Sequence, residues 1–192
     1  PVPPYWPDTA EVRRDLLDYA NEIDWFDVQL ARVLLRLDAT GERDRTLVVV
    51  TSDNGMPFPR AKVNLYDPGV RMPLAIRWPA RVPGGRVVDD FVCLPDLTPT
   101  FLEIGGVKPP AGIYGRSLLG VLRSDRSGQV DPTRTWVITG RERHVESARE
   151  GFVGYPMRAL RTADFVYIRN FRPERMPMGD AKTAFSAEVL AG

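Results

Sequence analysis

A short apolar run, Leu47-Val48-Val49-Val50, ends at once in Thr51-Ser52-Asp53-Asn54-Gly55. Consecutive apolar residues bounded by turn formers predict a strand from Thr46 to Ser52 that is buried on both faces, the pattern of a strand covered by layers on either side. A chain built around such a strand folds as an α/β protein. A second apolar run, Pro73 to Trp78, stops before Pro79 and predicts another strand. Between the two lies a long connection, "DNGMPFPRAKVNLYDPGVRM", and connections of that length are usually functional or disordered. Its three prolines, with Asn64, Tyr66 and Arg71, point to a loop of fixed shape.

Upstream, Val12, Leu16, Tyr19, Ile23, Phe26, Leu30, Val33 and Leu37 recur at three- or four-residue steps and predict one amphipathic helix covering a sheet. Asp8 with Glu11 fits a capping pair at its start, and Gly41 a terminator. Downstream, Thr98-Pro99 reads as the start of a short helix that Gly105-Gly106 ends. Residues 120–135 are polar and predict a surface connection. After them "TWVITG", "PMRALRT" and "FVYIRNF" read as three short strands. The expected division is residues 1–120 as an α/β domain and 121–192 as a small α+β lobe with antiparallel strands.

Apolar content of 43% and charged content of 27% belong to a globular chain. With 26 basic and 25 acidic residues, a net charge of +1 gives no general attraction to nucleic acid or anionic lipid, so anion recognition has to be local. The lone Cys93 excludes an internal disulfide and a thiolate metal cluster. No apolar stretch approaches the roughly 18 to 20 residues of a membrane-spanning helix. The opening "PVPPYWPD" lacks an initiating methionine and "FSAEVLAG" lacks an obvious terminator, so the chain is expected to be a fragment of a longer protein.

Ligands of open α/β sheets collect at the carboxyl ends of strands, where Asp53 and Asn54 are expected. A carboxylate and an amide oxygen are hard donors suited to Ca²⁺ or Mg²⁺, though two residues cannot fill a shell of six to eight oxygens. Asp-Asn-Gly is equally good composition for a tight turn, and composition leaves both readings open. Lys62, on the same loop, could neutralise an anionic group beside a metal or stand simply solvated. His144 is the only histidine, so neither a histidine zinc site nor a Ser-His-Asp triad with alternatives can be assembled. Cys93, among apolar neighbours, is expected to be a buried small side chain. The Arg-rich runs "GRERH" and "IRNFRPER" suit either anionic sugars or a solvated face.

In series, "TLVVVTSDNG", the loop with Lys62, "YDPGVRMPLAIRWP" and "LPDLTPTFLEIGG" resemble the C-terminal part of the type I sulfatases, in the alkaline-phosphatase-like superfamily. The stretches "NGMPFPRAKVNLY" and "GYPMRALRTADFVYIRNFRPERMPMG" look most like the heparan N-sulfatase branch. The resemblance implies part of an α/β/α sandwich with a small antiparallel lobe, acting on sulfate esters or sulfamates of sugars with calcium and a formylglycine. It implies Asp53 and Asn54 as calcium ligands, Lys62 as a sulfate contact, and His144 as a loosely assigned sugar contact. The family makes formylglycine within a Cys-x-Pro/Ala-x-Arg motif; Cys93 is followed by Leu-Pro-Asp and departs from it. The expected fragment therefore lacks the nucleophile and is expected to be inactive alone. A phosphodiesterase of the same superfamily, or a non-catalytic module binding sulfated glycans through Lys62 and the arginines, are the alternatives. The former more often carries Asp-His-Gly and transition metals, where this chain has Asn54.

Overall fold

The computed structural model describes residues 1–143 and 149–175, and the chain forms two compact units. The first comprises residues 1–50 and 75–84. Its main element is helix α1, Ala10–Ala39, which Thr9 caps by accepting a hydrogen bond from the Val12 amide at 3.3 Å. The cap is therefore Thr9 and not Asp8, because Asp8 turns to Arg13 in a bidentate pair at 2.5 and 2.7 Å. Gly41, at φ +70°, ends the helix as expected.

Helix α1 does not cover a sheet with its apolar stripe. None of its residues is buried, and Ile23, Phe26 and Val33 stay 52%, 49% and 55% exposed. The reason is size. A helix of 30 residues is about 45 Å long. The strands β1, Val48–Thr51, and β2, Leu74–Arg77, have four residues each, about 13 Å, and among the described residues they pair only with one another. The valines of β1 are for the same reason half-buried and not covered on both faces. The Trp78 indole donates to the Asp44 carbonyl at 3.1 Å and fixes the end of β2 to the turn before β1.

The second unit comprises residues 51–74 and 85–192. A 3-10 turn, Leu94–Asp96, runs directly into helix α3, Leu97–Ile104, so the helix start lies at Asp96, and Thr98 falls inside the first turn. Gly105 and Gly106, the latter at φ +75°, end it as expected. The segment 120–135 is not a surface connection. It contains most of helix α4, Leu119–Arg123, and contributes Val121, Leu122, Val130 and Arg134 to the core.

Polar residues can enter this core because each is paired. Arg134, 1% exposed, donates to the Asp96 carboxylate at 2.7 Å and to the carbonyls of Arg116 and Ser117 at 2.7 and 3.0 Å. Its Nε lies 3.4 Å from the Asp131 carboxylate. Asp96 also accepts from the amides of Cys93 and Arg116 at 3.1 and 2.7 Å. Asp90 accepts from the amides of Val130 and Asp131 at 2.7 and 2.6 Å, and Thr100 links the Asp96 carbonyl to the Leu118 amide at 2.6 and 2.8 Å.

The three predicted strands form one antiparallel sheet, in order β3, Trp136–Arg141, β4, Met157–Thr162, and β5, Val166–Asn170. The register pairs Val137 with Arg161, Thr139 with Ala159, and Ala159 with Ile168. Alternation therefore gives Val137, Thr139 and Arg141 the same face as Ala159 and Arg161, and that is the more buried face, Ala159 being 2% exposed. Trp136, Ile138, Leu160 and Tyr167 occupy the exposed face.

Replacing Arg134 by methionine leaves Asp96 charged, buried and without its counter-ion. A loss of about 3–5 kcal/mol in urea unfolding is expected; a loss below about 1 kcal/mol would show that Asp96 finds another partner.

Candidate functional site

The connection from β1 to β2 contains one helical turn, α2, Asp67–Val70. Its base is closed by the Thr51 hydroxyl, which donates to the Pro73 carbonyl at 2.8 Å. Two glycines explain why it folds so tightly. A Cβ on Gly55 would stand 2.2 Å from the Pro68 carbonyl oxygen and 2.7 Å from Cα of Gly69. One on Gly69 would stand 2.2 and 2.4 Å from the carbonyl oxygens of Ala61 and Asn64. Gly55 thus serves a close backbone approach, beyond the turn that its composition suggested. Ala61 and Leu65, 0% and 4% exposed, anchor the middle of the loop.

Asp53 stands exposed just past the end of β1, with Asn54 half-buried beside it. The Ser52 hydroxyl donates to the Asn54 carbonyl at 2.9 Å. The Asn54 side-chain amide nitrogen donates to the Gly55 carbonyl at 2.9 Å, which uses the end of the amide that cannot bind a cation. The oxygen end and the Asp53 carboxylate are the donor types a hard cation takes, so the pair fits calcium in chemistry. It does not complete a shell. Among the described residues no group of three or more His, Cys, Asp or Glu side chains is arranged to hold a metal.

Lys62 is half-buried on the same loop, and its amide donates to the Met56 carbonyl at 3.0 Å, which ties it to the segment following Gly55. The residues on either side of Ala61-Lys62 adopt left-handed backbone, Arg60 at φ +63° and Val63 at φ +72°. For a β-branched residue this is an outlier, of a kind that costs about 1–3 kcal/mol and persists only where the surroundings enforce it. His144 lies outside the described residues. Cys93 is half-buried and not fully buried; burial pushes its thiol pKa up, and Asp96 adds to the effect, so it is no activated nucleophile.

Two arginines hold this loop: Arg161, which the sequence reading passed over, and Arg141, which it placed in the run "GRERH" as suited to anionic sugars or a solvated face. Arg161 on β4 makes a bidentate pair with Asp67, at 2.9 Å from each nitrogen. Its guanidinium holds the Asp67 carboxyl below the usual carboxylate range. Arg141 on β3 donates to the carbonyl of Val63, and burial lowers its own pKa. Both arginines occupy inward positions of strands that otherwise read as alternating. That signal, a charge where the period asks for an apolar residue, was present in "PMRALRT".

Comparison with known proteins bears on the family and the fold. The family model described as N-sulphoglucosamine sulphohydrolase, C-terminal, matches residues 60–136. The chain is 31% identical over 174 residues to an ulvan-active sulfatase of Formosa agariphila, covering 91% of this chain and 27% of the relative. It is 31% identical over 172 residues to human N-sulphoglucosamine sulphohydrolase, covering 88% and 34%. A solved protein in complex with its substrate D-glucosamine-2-N,6-O-disulfate superimposes with a TM-score of 0.66 at 28% identity, over 77% of this chain and 30% of that one. A putative sulfatase from Bacteroides thetaiotaomicron, at 24% identity and a TM-score of 0.60, shares the fold. The chain spans 27% and 34% of the length of the two curated relatives. By sequence and by fold the chain belongs to the sulfatases, a family of sulfuric ester hydrolases, and corresponds to their C-terminal region.

Proposed function

We propose that this chain supplies the metal-binding and anion-contacting wall of a hydrolase acting on sulfated sugars, N-sulfoglucosamine among them. The observation that carries the reading is the loop from residue 51 to 74, which keeps Asp53 and Asn54 at a strand end and returns Lys62 to the segment beside them through the Lys62 amide bond to Met56. Asp53 and Asn54 hold a calcium ion together with oxygens from outside this loop. When bound, the ion stabilises negative charge on the sulfuryl oxygens. Lys62 places an ammonium against the same group, and its loop is built before substrate arrives, so little reorganisation is needed as charge develops. Cys93 does not fit the formylglycine motif, and no nucleophilic step is assigned to it.

Isothermal titration of the chain with calcium, then with glucosamine-N-sulfate in the presence and absence of calcium, tests the reading. Calcium should tighten binding of the sulfated sugar, and Asp53→Asn should abolish that effect. Lys62→Ala should weaken sugar binding by about tenfold, or 1.4 kcal/mol, with calcium affinity unchanged. The isolated chain should not turn over glucosamine-N-sulfate or an aryl sulfate. Salt-sensitive heparin binding that ignores both calcium and Asp53→Asn would replace this reading by a metal-independent glycan-binding module.

A further inference from the structure

We propose that Arg141 and Arg161 are positioning residues for Lys62, forming a two-point clamp by which the antiparallel sheet sets the shape of the site loop. This rests on the reading of Lys62 as the anion contact, and deepens it by assigning what holds that lysine in place.

Three observations converge on the clamp. The first is where the two arginines land. Arg141 donates to the carbonyl of Val63, the residue next to Lys62, and Arg161 engages both oxygens of Asp67, the first residue of α2. The second is that α2 is packed on the Lys62 turn. The Gly69 backbone leaves no room for a methyl group against the carbonyls of Ala61 and Asn64, so fixing Asp67 fixes the residues flanking Lys62 as well. The third is the strain. Val63 at φ +72° and Arg60 at φ +63° hold a conformation their side chains disfavour, and the Arg141 bond falls on one of them.

The chemistry of the clamp explains the choice of arginine. A planar guanidinium can satisfy a carboxylate with two parallel bonds and fix its orientation as well as its distance, which an ammonium cannot. Arg141 and Arg161 share the inward face of β3 and β4, so they reach the loop from one rigid surface. A lysine on a loop without these anchors would have to be ordered by the anion itself, and the affinity for the anion would fall by the cost of that ordering.

The test is amide hydrogen exchange and sulfate binding by NMR on the 192-residue chain, in wild type, Arg141→Met, Arg161→Lys, and the swapped pair Asp67→Arg with Arg161→Asp. The amides of Lys62 and Asn64, which bond to Met56 and Ala61, report the loop without any ligand. Each single variant should speed their exchange by about tenfold while the amides pairing β4 with β5 keep theirs, which also shows that the variant is folded. Inorganic sulfate should bind each single variant about fivefold more weakly than wild type, and the swapped pair should recover most of both losses. Unchanged Lys62 and Asn64 exchange in both Arg141→Met and Arg161→Lys would overturn the clamp. Faster exchange with unaltered sulfate affinity would reduce both arginines to structural residues and overturn their positioning role. Wild-type chain whose sulfate affinity is indifferent to Lys62→Ala would instead overturn the reading of Lys62, while exchange still decides the clamp, so the two fail separately.

Discussion

The buried pair between Asp96 and Arg134 is the constraint on which the second unit depends. An arginine that is 1% exposed is tolerated where its charge is matched and most of its donors are used, and here it draws residues 96, 116 and 117 onto one guanidinium. The consequence reaches further than stability. Arg134 lies two residues before β3 begins at Trp136, so pinning it fixes which residues of β3 face inward. A slip of one residue in that strand would carry Arg141 to the exposed face and turn Trp136 and Ile138 inward, and the bond to Val63 would be lost. The ion pair therefore sets the register that lets the sheet reach the site loop.

From the sheet the dependence passes to the loop through two arginines, and within the loop through two glycines. Gly55 and Gly69 allow the strand end, the Lys62 turn and α2 to touch backbone to backbone, and no side chain larger than hydrogen fits at either place. Such a loop is held by more than its prolines. Its shape is over-determined, and that is the condition under which Val63 and Arg60 can remain in left-handed backbone.

Elements whose signal is periodic were legible in the sequence. The three strands of the antiparallel sheet fell where alternation put them, and Gly41 and Gly105-Gly106 ended their helices as glycine does. Asp53 and Asn54 were singled out by their place after an apolar run, and Lys62 by its place on the same loop and then by the resemblance that loop carries; their roles belong to the proposed function. What escaped were features that pairing decides. Residues 120–135 look solvated because they are polar, yet Arg134 and the amides of Val130 and Asp131 are consumed by Asp96 and Asp90, which makes burial tolerable. The Asp67–Arg161 pair joins residues 94 positions apart, and no local pattern announces such a partner. The stripe of α1 was read correctly as apolar, but a stripe states only that a face is apolar. Whether anything covers it depends on the extent of sheet available, and two four-residue strands do not suffice.

The use of basic residues follows one logic across the second unit. Only three of the 26 basic residues are lysines, at 62, 108 and 182. The arginines that can be followed are largely engaged with the protein itself. Arg86 caps carbonyls of Leu122 and Arg126, Arg116 reaches Thr133, Arg134 serves Asp96, and Arg141 and Arg161 hold the site loop. Guanidinium suits these tasks because its donors diverge in a plane and can satisfy several acceptors at once. The pairs Arg134 with Asp96 and Arg161 with Asp67 cancel in charge, and a net charge of +1 leaves the chain little overall field to draw anions from a distance. On the proposed role of Lys62, selection of a sulfate group rests on short-range geometry at that ammonium, and a lysine supplies it best where the backbone beneath it is already fixed. On that proposal, the scarcity of lysine and the close backbone packing of the loop that carries Lys62 answer the same requirement.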